Sequence, residues 1–145
     1  MTTAFFAGSF DPFTTGHADI VRRGLSLFDG IIIAIGTNSS KTPWQPVEER
    51  LARLRELYKD EPRVRIETYD GLTVDAAKRL GANVILRGVR NAIDLEYERS
   101  IAQGNLDLEG METVFLLASP TLAHVSSSLV RELSHYGRDV SIYLP

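Results

Sequence analysis

The stretch Gly8-Ser9-Phe10-Asp11-Pro12-Phe13-Thr14-Thr15-Gly16-His17 gathers hydroxyls, loop glycines and a histidine into one short segment, residue types suited to holding phosphate oxygens. A glycine lets an anion approach the backbone, while hydroxyl and imidazole groups supply directional donors. Three further segments carry groups of the same kind: Lys41 in Asn38-Ser39-Ser40-Lys41-Thr42-Pro43, the run Arg87-Gly88-Val89-Arg90, and Val125-Ser126-Ser127-Ser128. Cationic and hydroxyl donors point to an anionic ligand. No carboxylate cluster reads as a metal cage, so no metal-ligating residue is expected, and without cysteine the chain has no thiolate nucleophile, thiolate metal site or disulfide.

Each group also has an ordinary explanation. An isolated His at a helix start is as readily a solvated surface residue, a lysine in a polar loop need do no chemistry, Ser9 suits a turn, and one of the three serines suits an N-cap. Arg87 is harder to dismiss, because an arginine ending an apolar strand buries a charge unless an anion meets it.

The elements that would position these groups alternate along the chain. Ala4 to Ala7, Ile31 to Ile35, Val64 to Thr68, Val84 to Leu86 and Val114 to Leu117 read as buried strands. Helical spacing is carried by Ile20, Val21, Leu25 and Phe28 in the segment Ala18 to Phe28, and by Val47, Leu51, Leu54, Leu57 and Tyr58 behind Pro46. Shorter and longer helices are predicted over Thr73 to Leu80, closed by Gly81, and over Asp94 to Leu108. Strand and helix in alternation imply βαβ units. The expected fold is therefore α/β, a single-domain, Rossmann-like, doubly wound sheet of about five parallel strands with helices on both faces, spanning residues 1–145.

Ligands of such sheets bind beyond the strands' C-terminal ends near a topological switch point. Ser9 and His17 follow the first predicted strand, Lys41 the second, Leu72 and Thr73 the third, Arg87 to Arg90 the fourth and the serine run the fifth. That convergence predicts one site, and the turn before the first helix brings free N–H groups and the positive end of the helix dipole to it.

Composition bounds the partners. With 145 residues, 43% hydrophobic and 24% charged, the chain has the make-up of a globular domain, and its net charge of −3 does not favour a nucleic-acid surface. No run approaches a membrane span, and Gly8 and Asp11 interrupt the apolar Phe5-Phe6 too early for a signal peptide. A cytoplasmic location without membrane or nucleic-acid partners is expected.

Thr14-Thr15-Gly16-His17 following Gly-Ser-Phe-Asp-Pro resembles the signature of the nucleotidyltransferase superfamily. With Lys41, Arg87-Gly88-Val89-Arg90 and Val125-Ser126-Ser127-Ser128-Leu129-Val130-Arg131 in order, nearly the whole chain resembles the phosphopantetheine adenylyltransferases. The resemblance implies that ATP is bound by Ser9, Phe10, His17, Gly88, Val89, Arg90, Glu98, Leu122, Ala123, His124, Val125, Ser126, Ser127 and Ser128. It implies that Ser9, Lys41, Leu72, Thr73 and Arg87 bind phosphopantetheine, and that His17, Lys41, Ser9 and Arg90 carry catalysis. Ser9 stands where the family often has Thr, and Leu122, Ala123 and His124 depart from its common aromatic-containing version. Mg²⁺ held mainly by ATP phosphates and a homohexameric assembly are implied in the same way.

The implied reaction is reversible adenylyl transfer from ATP to 4′-phosphopantetheine, giving dephospho-coenzyme A and pyrophosphate. Two alternatives stand beside it. One is a superfamily member with another acceptor, such as nicotinamide mononucleotide or glycerol phosphate; the other is a module that binds nucleotide without chemistry.

Overall fold

Runs of Val, Ile, Phe and Ala without polar interruption suit strands buried on both faces, and the chain uses them so. The computed structural model describes residues 1–38 and 40–145, leaving Ser39 outside. Its elements follow in the order β1 (Thr3–Gly8), α1 (Thr15–Gly24), β2 (Gly30–Gly36), α2 (Val47–Leu57), β3 (Val64–Tyr69), α3 (Thr73–Arg79), β4 (Val84–Val89), α4 (Ala92–Glu109), β5 (Thr113–Leu117) and α5 (Ser127–His135), with a closing 3-10 turn at Ser141–Tyr143. All five strands pair in parallel in the spatial order β3-β2-β1-β4-β5. The chain moves outward from β1 through β2 to β3, then crosses back to β4 on the other side of β1. The switch point therefore lies between the C-terminal ends of β1 and β4.

Alternation along the strands divides the core into two layers. Phe6, Ile31, Ile33, Ile35 and Leu86 pack with Ile20 and Val21 of α1 and Leu54 of α2. Phe5, Ile32, Ala34 and Ile85 pack with Val74, Ala76 and Ala77 of α3. Each large apolar side chain so buried contributes roughly 1.5–3 kcal/mol, and the residues beneath the site, such as Phe5 and Ile33, are wholly buried. The predicted fold class is the one observed.

Three boundaries differ from expectation. Helix α1 ends at Gly24 rather than continuing to Phe28: the Gly24 carbonyl accepts N–H groups from both Leu27 and Phe28, closing the helix, and Phe28 packs on the core from the following turn. Helix α4 starts at Ala92, because the Asn91 side chain caps it by accepting the Asp94 N–H at 2.9 Å. Strand β4 extends through Val89, since Gly88 and Val89 pair with Leu116 and Leu117 of β5. Arg87, Gly88 and Val89 thus form the C-terminal end of the strand and do not lie in the loop after it. No helix among the described residues is long and apolar enough to cross a membrane.

Candidate active site

The loop from β1 to α1 is shaped by its own residues. Phe10 adopts a positive φ of 46°, a conformation that costs a bulky residue strain, and the Asp11–Pro12 bond is cis. The ring of Phe10 is buried against Phe6 and Phe13, so Phe10 serves as the floor of the site and only its main chain is left for a ligand. Thr14 is the N-cap of α1, and with His17 it forms a capping box in which the histidine replaces the usual Glu or Gln.

That box fixes the chemistry of His17. The Thr14 backbone N–H, which can only donate, reaches Nδ1 at 3.0 Å, so Nδ1 is the acceptor and a neutral ring carries its proton on Nε2. Phe13 stacks on the imidazole with centroids 5.3 Å apart, and Phe10 meets it edge-on at 5.0 Å. Burial among these rings, then the nearby charges of Arg87 and Arg90, lower the His17 pKa from 6.5 to about 4. His17 is accordingly a neutral, oriented N–H donor at physiological pH.

Two adjoining cavities open beside it. One, of about 310 Å³, is bordered by Gly8, Ser9, Phe10, His17, Arg87, Gly88, Arg90 and Glu98. The other, of about 290 Å³, is shared by Ser9, His17, Gly88, Arg90, Leu122, Val125 and the three serines 126–128. Arg90 directs Nε to the Asp94 carboxylate at 3.2 Å and remains partly exposed. Gly88 is glycine for a reason inside the fold: a Cβ there would lie 3.0 Å from Cγ1 of Ile20 on α1. Lys41 borders a third cavity, of about 530 Å³, with Ser9, Asn38, Trp44, Arg50 and Arg131. Ser9, exposed, stands on the wall of all three.

Arg87 does meet an anion, and it comes from the protein. Its Nε and Nη2 bond the two carboxylate oxygens of Glu98 at 3.0 and 2.7 Å, and Nη1 donates to the Ala7 carbonyl at 2.6 Å. Glu98 is therefore a buried partner across 11 residues of chain, whereas its sequence context suggests a solvated helix face. A guanidinium has five N–H groups. Three are committed here, which leaves two.

The serine run is also explained locally. The Ser126 hydroxyl accepts the Leu129 N–H at 3.1 Å as the N-cap of α5, the Ser127 hydroxyl donates to the Pro12 carbonyl at 2.7 Å, and the Ser128 hydroxyl accepts from Arg131 at 3.2 Å. As expected, capping accounts for one hydroxyl only; the other two are engaged by Pro12 and Arg131. The serine loop is stitched to the β1–α1 loop, and both border one cavity.

Other expected residues sit apart from these three cavities. The side chain of Val89 is wholly buried, Leu72 is exposed at the start of α3, and the His124 ring lies edge-on to Tyr143 at 6.1 Å. Ala123 shares that turn and is not among the lining residues. Thr73 bonds the Tyr69 hydroxyl at 2.9 Å and borders a smaller cavity of about 120 Å³ with Arg87, Glu98, Ile101 and Asn105. Asp11, Arg50, Trp44, Arg131 and Asn105 were not singled out from sequence; only the acidic residue within the apolar Phe10–Phe13 stretch offered a signal.

A Cytidylyltransferase-like family model matches residues 5–133. A phosphopantetheine adenylyltransferase of Christiangramia forsetii is 52% identical over 145 residues, covering all of this chain and 96% of that protein. The chain belongs to the phosphopantetheine adenylyltransferase family. Within that family, the Bacteroides fragilis enzyme is 46% identical over the whole chain, covering 97% of its own length, and one from Porphyromonas gingivalis is 49% identical over 142 residues. Family membership makes the chain a nucleotidyltransferase, as the spaced motifs imply. Among solved structures, a bifunctional NMN adenylyltransferase/ADP ribose pyrophosphatase from Francisella tularensis aligns with a TM-score of 0.73 at 16% identity. This chain spans 44% of that protein, and at such identity the likeness speaks for the fold alone.

Proposed function

We propose that this chain, as one domain over residues 1–145, transfers the adenylyl group of ATP reversibly to 4′-phosphopantetheine. A phosphate oxygen of the acceptor attacks the α-phosphorus in line, the bond to the β-phosphate oxygen breaks, and dephospho-coenzyme A and pyrophosphate result. The observation that carries this reading is that Ser9, His17, Arg87 and Arg90 border one cavity at the β1/β4 switch point, with Lys41 on the adjoining one. The work required is placing two anions together and stabilising charge as it moves, since no covalent intermediate is needed.

In this reading His17 Nε2–H donates to an α-phosphate oxygen, Arg90 and the main chain at Gly88 hold the β- and γ-phosphates, and Lys41 bridges the acceptor phosphate and the α-phosphate. Ser9 donates its hydroxyl to either phosphate. The two uncommitted N–H groups of Arg87 grip the acceptor phosphate while Glu98 holds the guanidinium in plane. Ser127, Ser128, Leu122 and Val125 line the nucleotide side. Thr73 and Leu72 border the acceptor arm.

Mg²⁺ enters as part of the ATP substrate. Among the described residues no three His, Cys, Asp or Glu side chains converge as a metal site, and the carboxylates bordering the His17 cavity, Asp94 and Glu98, are engaged by Arg90 and Arg87. That donor set fits a metal held by phosphates and water.

A homohexamer in the cytoplasm completes the proposal. Helix α4 supports assembly: Glu98 is its one buried residue among those described, while Ile93, Tyr97 and Leu108 are more than 60% exposed. Sedimentation equilibrium should then give six times the 16.1 kDa chain mass. The reaction is tested by pyrophosphate release from ATP and Mg²⁺ with 4′-phosphopantetheine, nicotinamide mononucleotide or glycerol phosphate. Release with phosphopantetheine alone is expected. Release with another acceptor moves the assignment within the superfamily, and nucleotide binding without release supports a module lacking chemistry.

A further inference from the structure

Lys41 is a flexible side chain on the β2–α2 loop, so its usefulness depends on how that loop is held. At the near end, the Thr37 N–H and hydroxyl bond the Tyr69 carbonyl at 2.8 and 3.1 Å, extending the β2–β3 pairing. At the far end the attachment is a side chain from another loop. Asp11, 8% exposed, accepts the Trp44 N–H on Oδ2 at 2.7 Å and the Gln45 N–H on Oδ1 at 2.9 Å. Arg50, equally buried, places Nε 3.9 Å from the same carboxylate, donates that Nε to the Gln45 carbonyl at 3.0 Å, and donates Nη1 to the Ser9 carbonyl at 2.6 Å. One buried pair thus joins the main chain at Ser9 and Asp11 to the main chain three residues past Lys41.

We propose that Asp11 and Arg50 are positioning residues whose joint grip on Trp44, Gln45 and Ser9 sets Lys41 opposite Ser9 for the transfer step. The inference rests on the catalytic reading of Lys41 given above. A purely structural role has its own rationale: α2 begins at Val47 behind an N-cap, Pro46, that gives no side-chain cap, and a carboxylate near its N-terminus stabilises the helix whatever Lys41 does. The two roles separate by coupling. If Asp11 acts through Lys41, its loss costs little once Lys41 is gone; if it acts on the fold, the two losses multiply.

Trp44 is the only tryptophan in the chain, so its fluorescence anisotropy reports the clamp without added labels. Asp11→Asn, nearly isosteric, and Arg50→Lys, which keeps the charge but gives up the paired reach to Gln45 and Ser9, are measured alone and combined with Lys41→Ala. Each single clamp variant should lower Trp44 anisotropy and reduce kcat on the order of 10- to 100-fold, the scale of a small misplacement of a catalytic group, with KM for ATP within about threefold. In the Lys41→Ala background either should add less than about twofold. Equal losses in both backgrounds overturn the proposal in favour of the helix-capping role. Unchanged anisotropy in Asp11→Asn removes the clamp while leaving the reading of Lys41 intact. Full activity in Lys41→Ala alone sinks that reading, and the purpose assigned to the clamp with it.

Discussion

Lowering the pH from 7 to 5 should destabilise this protein through His17, by an amount its surroundings allow to be worked out. Folded, the imidazole has a pKa of about 4, held down by burial among Phe6, Phe10 and Phe13 and then by Arg87 and Arg90; unfolded, it returns to 6.5. Between these values the unfolded chain binds a proton that the folded chain refuses, so stability falls as pH falls through 6.5 and continues to fall until about 4. The slope approaches one proton, about 1.4 kcal/mol per pH unit, and the loss from pH 7 to pH 5 reaches about 2 kcal/mol at most, the open cavity beside the ring reducing it. His17→Gln is the control, because a glutamine oxygen can accept the Thr14 N–H and keep the capping box while the position no longer titrates. Urea unfolding of both proteins from pH 4.5 to 7.5 should show a wild-type stability that drops toward acid more steeply than the variant's. NMR of the three histidines should place the resonance missing from His17→Gln at a midpoint near 4, in the Nε2–H form. A midpoint near 6.5, or parallel pH profiles for the two proteins, would refute the account of the ring.

Glu98→Gln should cost about 1–2 kcal/mol, less than for a fully buried pair because Arg87 is 33% exposed, and should raise KM for the acceptor more than for ATP; chemical denaturation and two-substrate kinetics read the two effects. Gly88→Ala should lose about 1–3 kcal/mol as its Cβ presses on Cγ1 and Cδ1 of Ile20, and Ile20→Ala, which removes both atoms, should cost less in the Gly88→Ala background than in the wild type, as seen in unfolding midpoints. Equal costs of Ile20→Ala in the two backgrounds would mean that the glycine serves the ligand side of the strand instead.

The sheet was legible because its strands are unbroken apolar runs, and the ends of those runs marked the edge on which the site lies, while the switch point between β1 and β4 needed the strand order. What failed to show were features made by long-range pairing. Strand β4 looked finished at Leu86, since Arg87 and Gly88 carry no apolar signal, yet the ladder to β5 continues to Val89. The need of Arg87 for an anion was readable, but the supplier, Glu98, lies on a helix whose surface pattern gives no hint of burial. Likewise Gly-His singles out His17 as a candidate, whereas its tautomer follows from Thr14 three residues earlier, a capping box hidden because histidine replaces Glu or Gln. The Asp11–Arg50 grip is hidden for a plainer reason: an acidic residue within the apolar Phe10–Phe13 stretch hints at a buried role, but no spacing indicates that two loops will meet.

The charges around His17 also predict how nucleotide binding responds to pH. In the empty site Arg87 and Arg90 disfavour the imidazolium, and burial disfavours it further. A triphosphate in the adjoining cavities reverses the electrostatic part, since its negative charge offsets the guanidiniums and lies beside Nε2–H, so the His17 pKa must rise on binding. By linkage, a group whose pKa rises when the ligand binds takes up protons with it, and affinity increases as pH falls through the window between the bound and free values. Calorimetric titration of ATP at pH 5.5 in two buffers of different ionisation enthalpy counts those protons. ATP itself titrates near this pH, which is why His17→Gln must be run in parallel. Greater uptake in the wild type than in the variant is the expected result. Equal uptake would mean that the ring stays neutral beside the bound phosphates, and that Arg87 and Arg90 still govern its charge after ATP has arrived.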